Sequence, residues 1–223
     1  LEGLNLRRIE AKPGTEFNPD LHEAIQFDEI TYLGFPFSIS PTFQQRNTNS
    51  TIEESLHTLD ALQNITSKGN KELVVYLSMG FGNPYGDVYN EGILLQWADI
   101  MVKNGVRIIS LADTVGLASP QQISTALNNL IPKYKNVTIG VHLHASPHNW
   151  QEKLQAALDA GCTRFDGALG GIGGCPMAGN ELVGNMATEN IIAQLENRGN
   201  ALLLNKEALA QCHVLSSKTF VSS

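Results

Sequence analysis

Three stretches of this chain carry residues that can do chemistry together. They are His142-Leu143-His144, Asn185 in a Gly184-Asn185 pair, and Cys175 in a run that also holds Gly167, Gly170, Gly171, Gly173, Gly174 and Gly179. In an extended segment residues i and i+2 leave the same face, so His142 and His144 form a two-point clamp for a cation. A hydrogen-bonded histidine pair is the plainer alternative. The Asn185 amide oxygen can complete a hard cation's shell. Imidazole and oxygen donors with room for water suit Mg²⁺ or Mn²⁺ better than a closed zinc site. Cys175 is open to two readings: a small residue packed among glycines, or a mobile thiol acid/base whose pKa is tuned by nearby cations. Cys162 beside Gly161 at a helix end, and Cys212 inside a helix, read as structural.

Asp113, in Ala112-Asp113-Thr114-Val115-Gly116, follows an apolar run. It can anchor the turn through bonds to its backbone, act as an acid/base, or support the reacting groups from behind. Glu189 lies at a helix start, where a carboxylate meets the dipole favourably. The glycine run lacks a G-x-G-x-x-G pattern, and neither a P-loop nor a G-x-S-x-G is present, which removes the nucleotide-binding and serine-hydrolase readings.

The elements that must position these residues repeat. Apolar runs at Ile30–Pro36, Glu72–Ser78, Arg107–Asp113, Thr138–His144 and the stretch entering at Phe165 read as strands. Helical stripes separate them. One opens on Ser50-Thr51-Ile52-Glu53 as a capping box. The next passes through Ile93, Leu94, Trp97, Ile100 and Met101 to a C-terminal Gly105. Ser119-Pro120 and Ser146-Pro147 each read as an N-cap followed by proline at the first helical position. A helix from Thr188 and a last one over about Lys206 to Leu215 close the pattern. Residues 1–28 carry no comparable pattern.

Strands joined through helices mean parallel βαβ units. They fit either an open doubly wound sheet or a (β/α)₈ barrel. Asn83, Asp113, His142, His144 and Cys175 all fall at or just after the C-terminal ends of different strands, where barrel enzymes place their chemistry. An open sheet gathers ligands at one switch point instead. The fold class expected is therefore α/β, a (β/α)₈ barrel of which this chain supplies roughly the last five units, as a single domain over 1–223.

With 223 residues, 42% of them hydrophobic, the chain can bury a sizeable core. Its formal net charge of −7 argues against binding to nucleic acid or an anionic membrane surface. No apolar run approaches the roughly 18 residues of a membrane span. Three widely spaced cysteines do not form a disulfide framework and point to a reducing cytoplasm.

Taken together, Ala112-Asp113-Thr114-Val115-Gly116, His142-Leu143-His144, Gly173-Gly174-Cys175-Pro176-Met177-Ala178 and Gly184-Asn185-Met186-Ala187-Thr188-Glu189 resemble the 3-hydroxy-3-methylglutaryl-CoA lyases. Asn49 to Ser55 also resembles that family's segment after its fourth strand. The family belongs to a metal-dependent TIM-barrel superfamily that includes Claisen-type synthases, and the likeness runs from about Ile30 to Ala201. It implies cleavage of 3-hydroxy-3-methylglutaryl-CoA to acetyl-CoA and acetoacetate. It implies a divalent metal, Mg²⁺ or Mn²⁺, held by His142, His144 and Asn185, with His142 or Asp113 as base and Cys175 as proton donor or relay. Asn83, Thr114, Gly173, Gly174 and Glu189 are then expected to bind substrate or back the site, and a homodimer is expected. The alternatives are a related aldolase or synthase acting on a 2-oxo acid, or an inactive barrel fragment.

The chain departs from that family in three places. Ala145-Ser146-Pro147 follows the second histidine, where the lyases usually carry Asp-Thr and a glycine. Gly179-Asn180-Glu181-Leu182-Val183 replaces a smaller glycine- and serine-rich run. The family's opening strand, with an Arg-Asp pair that supplies a catalytic arginine and a further metal ligand, is not legible, and two more βα units are missing with it. A typical barrel needs about 250 residues, so the expectation is of a parent enzyme whose N-terminal strands lie outside this sequence.

Overall fold

The computed structural model describes residues 24–28, 30–174 and 183–219. Cys175, with the rest of the 175–182 run, lies outside the described residues.

Five parallel strands form one sheet: β1 (Tyr32–Ser38), β2 (Glu72–Ser78), β3 (Ile108–Ala112), β4 (Thr138–His142) and β6 (Phe165–Asp166). Each strand pairs with the next one along the chain, from β1 to β2 to β3 to β4 to β6. A doubly wound sheet reverses direction at a switch point. Here the order never reverses, as in a segment of barrel wall. The two-residue pieces β5 (His144–Ala145) and β7 (Gly184–Asn185) pair antiparallel with each other at the C-terminal end of this arc.

Helices cover the arc's outer side. They are α1 (Pro41–Thr48), α2 (Ile52–Lys68), α3 (Glu91–Lys103), α4 (Pro120–Lys133), α5 (Trp150–Asp159), α6 (Thr188–Asn197) and α7 (Lys206–Thr219). The apolar stripes of α1 to α6 meet alternate strand residues in one core that includes Leu33, Phe35, Phe37, Val75, Leu77, Ile109, Leu111, Ile139 and Val141; α7 buries no residue and lies against the Leu169–Gly171 turn. The other face of the strands is more polar. Tyr76 pairs in register with Ser110, Ser110 with Gly140, Ala112 with His142, and His142 with Asp166. The chemistry-bearing side chains thus ride on the concave side of the wall, at its C-terminal rim.

Local signals set most boundaries, with several differences from expectation. β3 is one residue shorter at each end than the Arg107–Asp113 run, and β4 stops at His142, short of the expected His144. β1 starts at Tyr32 and runs to Ser38, two residues later than the apolar run suggests. The capping box of α2 is closed by Thr51 and Glu54, one residue on from the expected pair, because Thr51 takes the extended N-cap conformation. α1 is an additional helix, capped by Ser40 with Pro41 at its start. α5 begins at Trp150; its approach is a turn in which Ser146 N–H donates to Asn149 Oδ1 at 2.8 Å. Ser119-Pro120 does start α4, with Gln122 completing a capping box.

Candidate active site

β4 ends at His142, Leu143 breaks the ladder, and His144 enters the antiparallel bridge directly opposite Asn185. The two imidazoles sit on the same side with ring centroids 5.1 Å apart. His142 Nδ1 lies 3.2 Å from the Asp166 carbonyl, and His144 Nδ1 lies 2.8 Å from the Thr114 carbonyl. A carbonyl only accepts, so each imidazole donates Nδ1–H, which in the neutral ring leaves the lone pair on Nε2.

Asn185 is pinned as firmly. Its Nδ2 donates to the Ile172 carbonyl at 2.8 Å, which fixes Oδ1 on the opposite side. Its main-chain N–H donates to the Gly173 carbonyl at 3.2 Å. Gly173 itself has φ 88, and a Cβ there would sit 3.0 Å from Asn185 Nδ2, so only glycine suits this close wrap.

The consequence is an unusual contact: His144 Nε2 and Asn185 Oδ1 are 2.8 Å apart, and both are acceptors. A proton on Nε2 or a cation between the two atoms resolves the repulsion. Burial holds the His144 imidazole below its ordinary pKa, against the upward pull of the Thr114 carbonyl, Asp113 and Asn185, so the proton is disfavoured at neutral pH. Two neighbouring ligands of an octahedral cation at about 2.1 Å lie about 3 Å apart, which this pair matches. The His144 and Asn185 donors therefore suit a divalent cation of the Mg²⁺ or Mn²⁺ kind, with the His142 ring beside that of His144 at 5.1 Å. No group of three or more His, Cys, Asp or Glu converges among the described residues, here or elsewhere; the third donor at this site is the Asn185 amide.

The remaining candidates occupy different positions. Asp113 is 1% exposed, its Oδ2 2.8 Å from Lys153 Nζ and its Oδ1 accepting from Ala118 N–H at 2.9 Å. With both oxygens engaged it is a turn anchor, not a base facing the cavity. Thr114 backs the site through its carbonyl, while its hydroxyl accepts from Met79 N–H at 2.7 Å. Asn83 spends its amide on its own loop: Oδ1 accepts from the N–H groups of Tyr85 and Asp87, and Nδ2 donates to the Asp87 carbonyl. It organises that loop and is not presented to a ligand. Glu189 accepts from Gly170 N–H through both oxygens and meets His213 Nδ1 at 2.8 Å, holding the first turn of the glycine run. Gly174 ends the described part of that run.

Several supporting residues carry no sequence signal of this kind. Asp166, whose carbonyl orients His142, has its own carboxylate held by Ser110 Oγ at 2.9 Å and Arg164 at 3.4 Å. Tyr76 sets its ring edge against His142, with centroids 5.7 Å apart. Lys153 donates from inside α5. Their common feature is phase: Tyr76 and Ser110 are polar residues at inward positions of otherwise apolar strands, Arg164 immediately precedes β6 two residues before Asp166, and Lys153 adjoins the stripe Trp150, Leu154, Ala157.

A parallel sheet in unbroken chain order, with imidazoles and an amide gathered at its C-terminal rim, defines a barrel-type α/β fold with its candidate site at the strand ends. The chain belongs to the HMGL-like family, whose model matches residues 19–218. It is 38% identical over 160 residues to the hydroxymethylglutaryl-CoA lyase YngG of Bacillus subtilis, an overlap of 71% of this chain and 53% of that protein. The crystal structure of the Bacillus subtilis HMG-CoA lyase superposes with a TM-score of 0.79 at 31% identity, covering 89% of this chain and 66% of that one. An HMG-CoA lyase from Acinetobacter baumannii, solved in complex with coenzyme A and 3-methylmalate, gives 0.75 at 26% identity, covering 88% and 64%. The chain thus spans little more than half of the curated relative and about two thirds of the solved barrels.

Proposed function

We propose that this chain forms the metal-binding rim of a carbon–carbon lyase that cleaves 3-hydroxy-3-methylglutaryl-CoA to acetyl-CoA and acetoacetate. The observation that carries the reading is the 2.8 Å approach of two acceptors, His144 Nε2 and Asn185 Oδ1, each fixed from behind. His142, His144 and Asn185 would hold the cation, which when bound supplies Lewis-acid polarisation of the substrate's C3 hydroxyl and carboxylate.

The chain's own residues supply orientation and proton handling. The Thr114 and Asp166 carbonyls keep both imidazoles in the tautomer that points Nε2 into the site. One lone pair cannot hold a cation and accept a proton at once. His144 and Asn185 therefore carry the permanent hold, and His142 Nε2 serves as ligand or as acceptor of the C3 hydroxyl proton. As that proton leaves, the C2–C3 bond breaks, C3 becomes the ketone of acetoacetate, and C2 of the thioester takes up a proton to give acetyl-CoA. Cys175, one residue beyond Gly174, is the donor assigned to that last transfer on its sequence context. A coenzyme A thioester substrate is also in keeping with the coenzyme A bound to the Acinetobacter relative.

Calorimetric titration with Mn²⁺, followed by a cleavage assay that detects acetoacetate, tests the reading. Saturable Mn²⁺ binding that is lost in His144→Ala is expected. Retention of full cleavage by Cys175→Ala, with loss in His144→Ala, would instead favour an aldolase that shares the metal but not the thiol.

A further inference from the structure

Lys153 lies on α5 with its side chain 2% exposed, and it spends all three ammonium protons inside the protein. They go to Asp113 Oδ2 at 2.8 Å, the His144 carbonyl at 2.9 Å and the Gly116 carbonyl at 3.0 Å. Buried ion pairs are seldom more stabilising than apolar packing of the same volume. What distinguishes this one is what it holds in place.

We propose that Lys153 is a positioning residue for His144, a role that rests on the cation-binding reading of His144 and Asn185. The hydrogen bond that sets the His144 tautomer runs from its Nδ1 to the Thr114 carbonyl, at 2.8 Å. Lys153 touches neither atom, yet it grips the chain on both sides of that bond: the His144 carbonyl at one end, and the Asp113 carboxylate and Gly116 carbonyl flanking Thr114 at the other. Asp113 Oδ1 extends the frame to Ala118 N–H, and Thr114 Oγ1 extends it to Met79 N–H at the end of β2. The ammonium is thus the common node of the β2, β3 and β4 ends. It fixes the separation of the imidazole from the carbonyl that orients it, and through it the aim of Nε2 at Asn185 Oδ1.

The test compares wild type with Asp113→Asn/Lys153→Met, which removes both charges so that neither is left buried alone. Thermal unfolding checks the fold, Mn²⁺ titration reads affinity, and ¹⁵N spectra of the imidazoles read the His144 tautomer. The folded double variant is expected to bind Mn²⁺ about 10-fold or more weakly, as losses behind a metal ligand do, and to show a mixed His144 tautomer. A second measurement needs no variant: saturation of wild type with diamagnetic Mg²⁺ is expected to shift the Lys153 Nζ resonance. A folded double variant with wild-type affinity and tautomer overturns the proposal, and so does a Lys153 resonance indifferent to Mg²⁺. Wild type that takes up neither cation refutes the metal reading itself and this role with it, an outcome distinct from binding that Lys153 does not influence.

Discussion

His144 and Asn185 face each other across a two-residue antiparallel bridge, with imidazole Nε2 2.8 Å from amide Oδ1 and neither able to donate while the imidazole is neutral. Wild type without metal therefore carries a local repulsion that a cation relieves. Asn185→Ala is expected to lower Mn²⁺ affinity by more than about 10-fold, since even losses behind a ligand cost about that much. Unfolding scans with and without Mn²⁺ check it. At a cation concentration of 100 times Kd wild type gains about 2.7 kcal/mol, and Asn185→Ala at the same concentration gains much less. Its metal-free stability stays near that of wild type, because the lost Nδ2 bond to Ile172 is offset by the lost repulsion. Equal metal stabilisation in the two proteins would remove Asn185 from the ligand set.

The Asp113–Lys153 pair gives a different signature. Asp113→Ala leaves a buried ammonium without its carboxylate, and breaking such a pair costs about 3–5 kcal/mol. Urea denaturation should show the midpoint falling by that equivalent. Loss of activity in this variant would then report an altered fold, not a missing base. A variant as stable as wild type would show that Asp113 is not anchored as described.

What could be read in the chain was what repeats within a few residues. The apolar run Glu72–Ser78 matches β2 at both ends, because a strand buried on both faces announces itself by composition. α1 lacked that cue. Its buried Gln44 takes the place of an apolar stripe, accepting from Ser38 N–H at 2.7 Å and donating to Thr48, Ser50 and Ser55. Ser40-Pro41 carried the same start signal as Ser119-Pro120, with no periodic pattern behind it to support a helix. Ser146-Pro147 shows the converse, a start signal whose first turn stays a turn until Asn149.

The candidate site divides along the same line. His-x-His and Gly-Asn are local patterns, and the structure brings their side chains together. Lys153 could not be recognised, because a lysine beside an apolar stripe looks like any solvated lysine until its partner Asp113, 40 residues away, is brought to it by the packing of α5 against the β3 end. Asn83 failed for the opposite reason. Its position after a strand is right for a ligand-binding residue, yet the loop it opens consumes both ends of its amide.

Gly140 tests the support of His142. A Cβ at this position would lie 2.9 Å from Arg164 Cβ, Cγ and carbonyl oxygen. The β4–β6 ladder consists of the pairs Val141–Phe165 and His142–Asp166, so the crowding falls on a short ladder. Gly140→Ala is expected to destabilise the protein by about 1–3 kcal/mol and to lengthen the His142 Nδ1 contact with the Asp166 carbonyl. Denaturant midpoints and the ¹⁵N shift of His142 Nδ1 are the measurements. A variant with native stability and an unmoved His142 signal would mean that β6 yields freely.

Cys162 supplies a pH dependence whose sign can be worked out. Burial pushes its thiol up from 9.0 to about 11, and the nearby Asp166 carboxylate adds to the rise, against hydrogen bonds that lower it. A folded-state pKa above the unfolded one means the folded protein holds that proton more tightly. The resulting stabilisation is complete below about pH 9 and is lost as pH climbs to about 11, on the order of 3 kcal/mol in all. Other groups titrate in the same range, so the informative quantity is the stability difference between wild type and Cys162→Ala. It should be constant from neutral pH to about 9 and then shrink. Thiol labelling at pH 8 gives an independent readout: Cys212 is exposed and Cys162 buried, so iodoacetamide should modify Cys212 in the native protein and reach Cys162 only after unfolding. Native-state alkylation of Cys162 at a rate matching Cys212 would contradict both the burial and the raised pKa that follows from it.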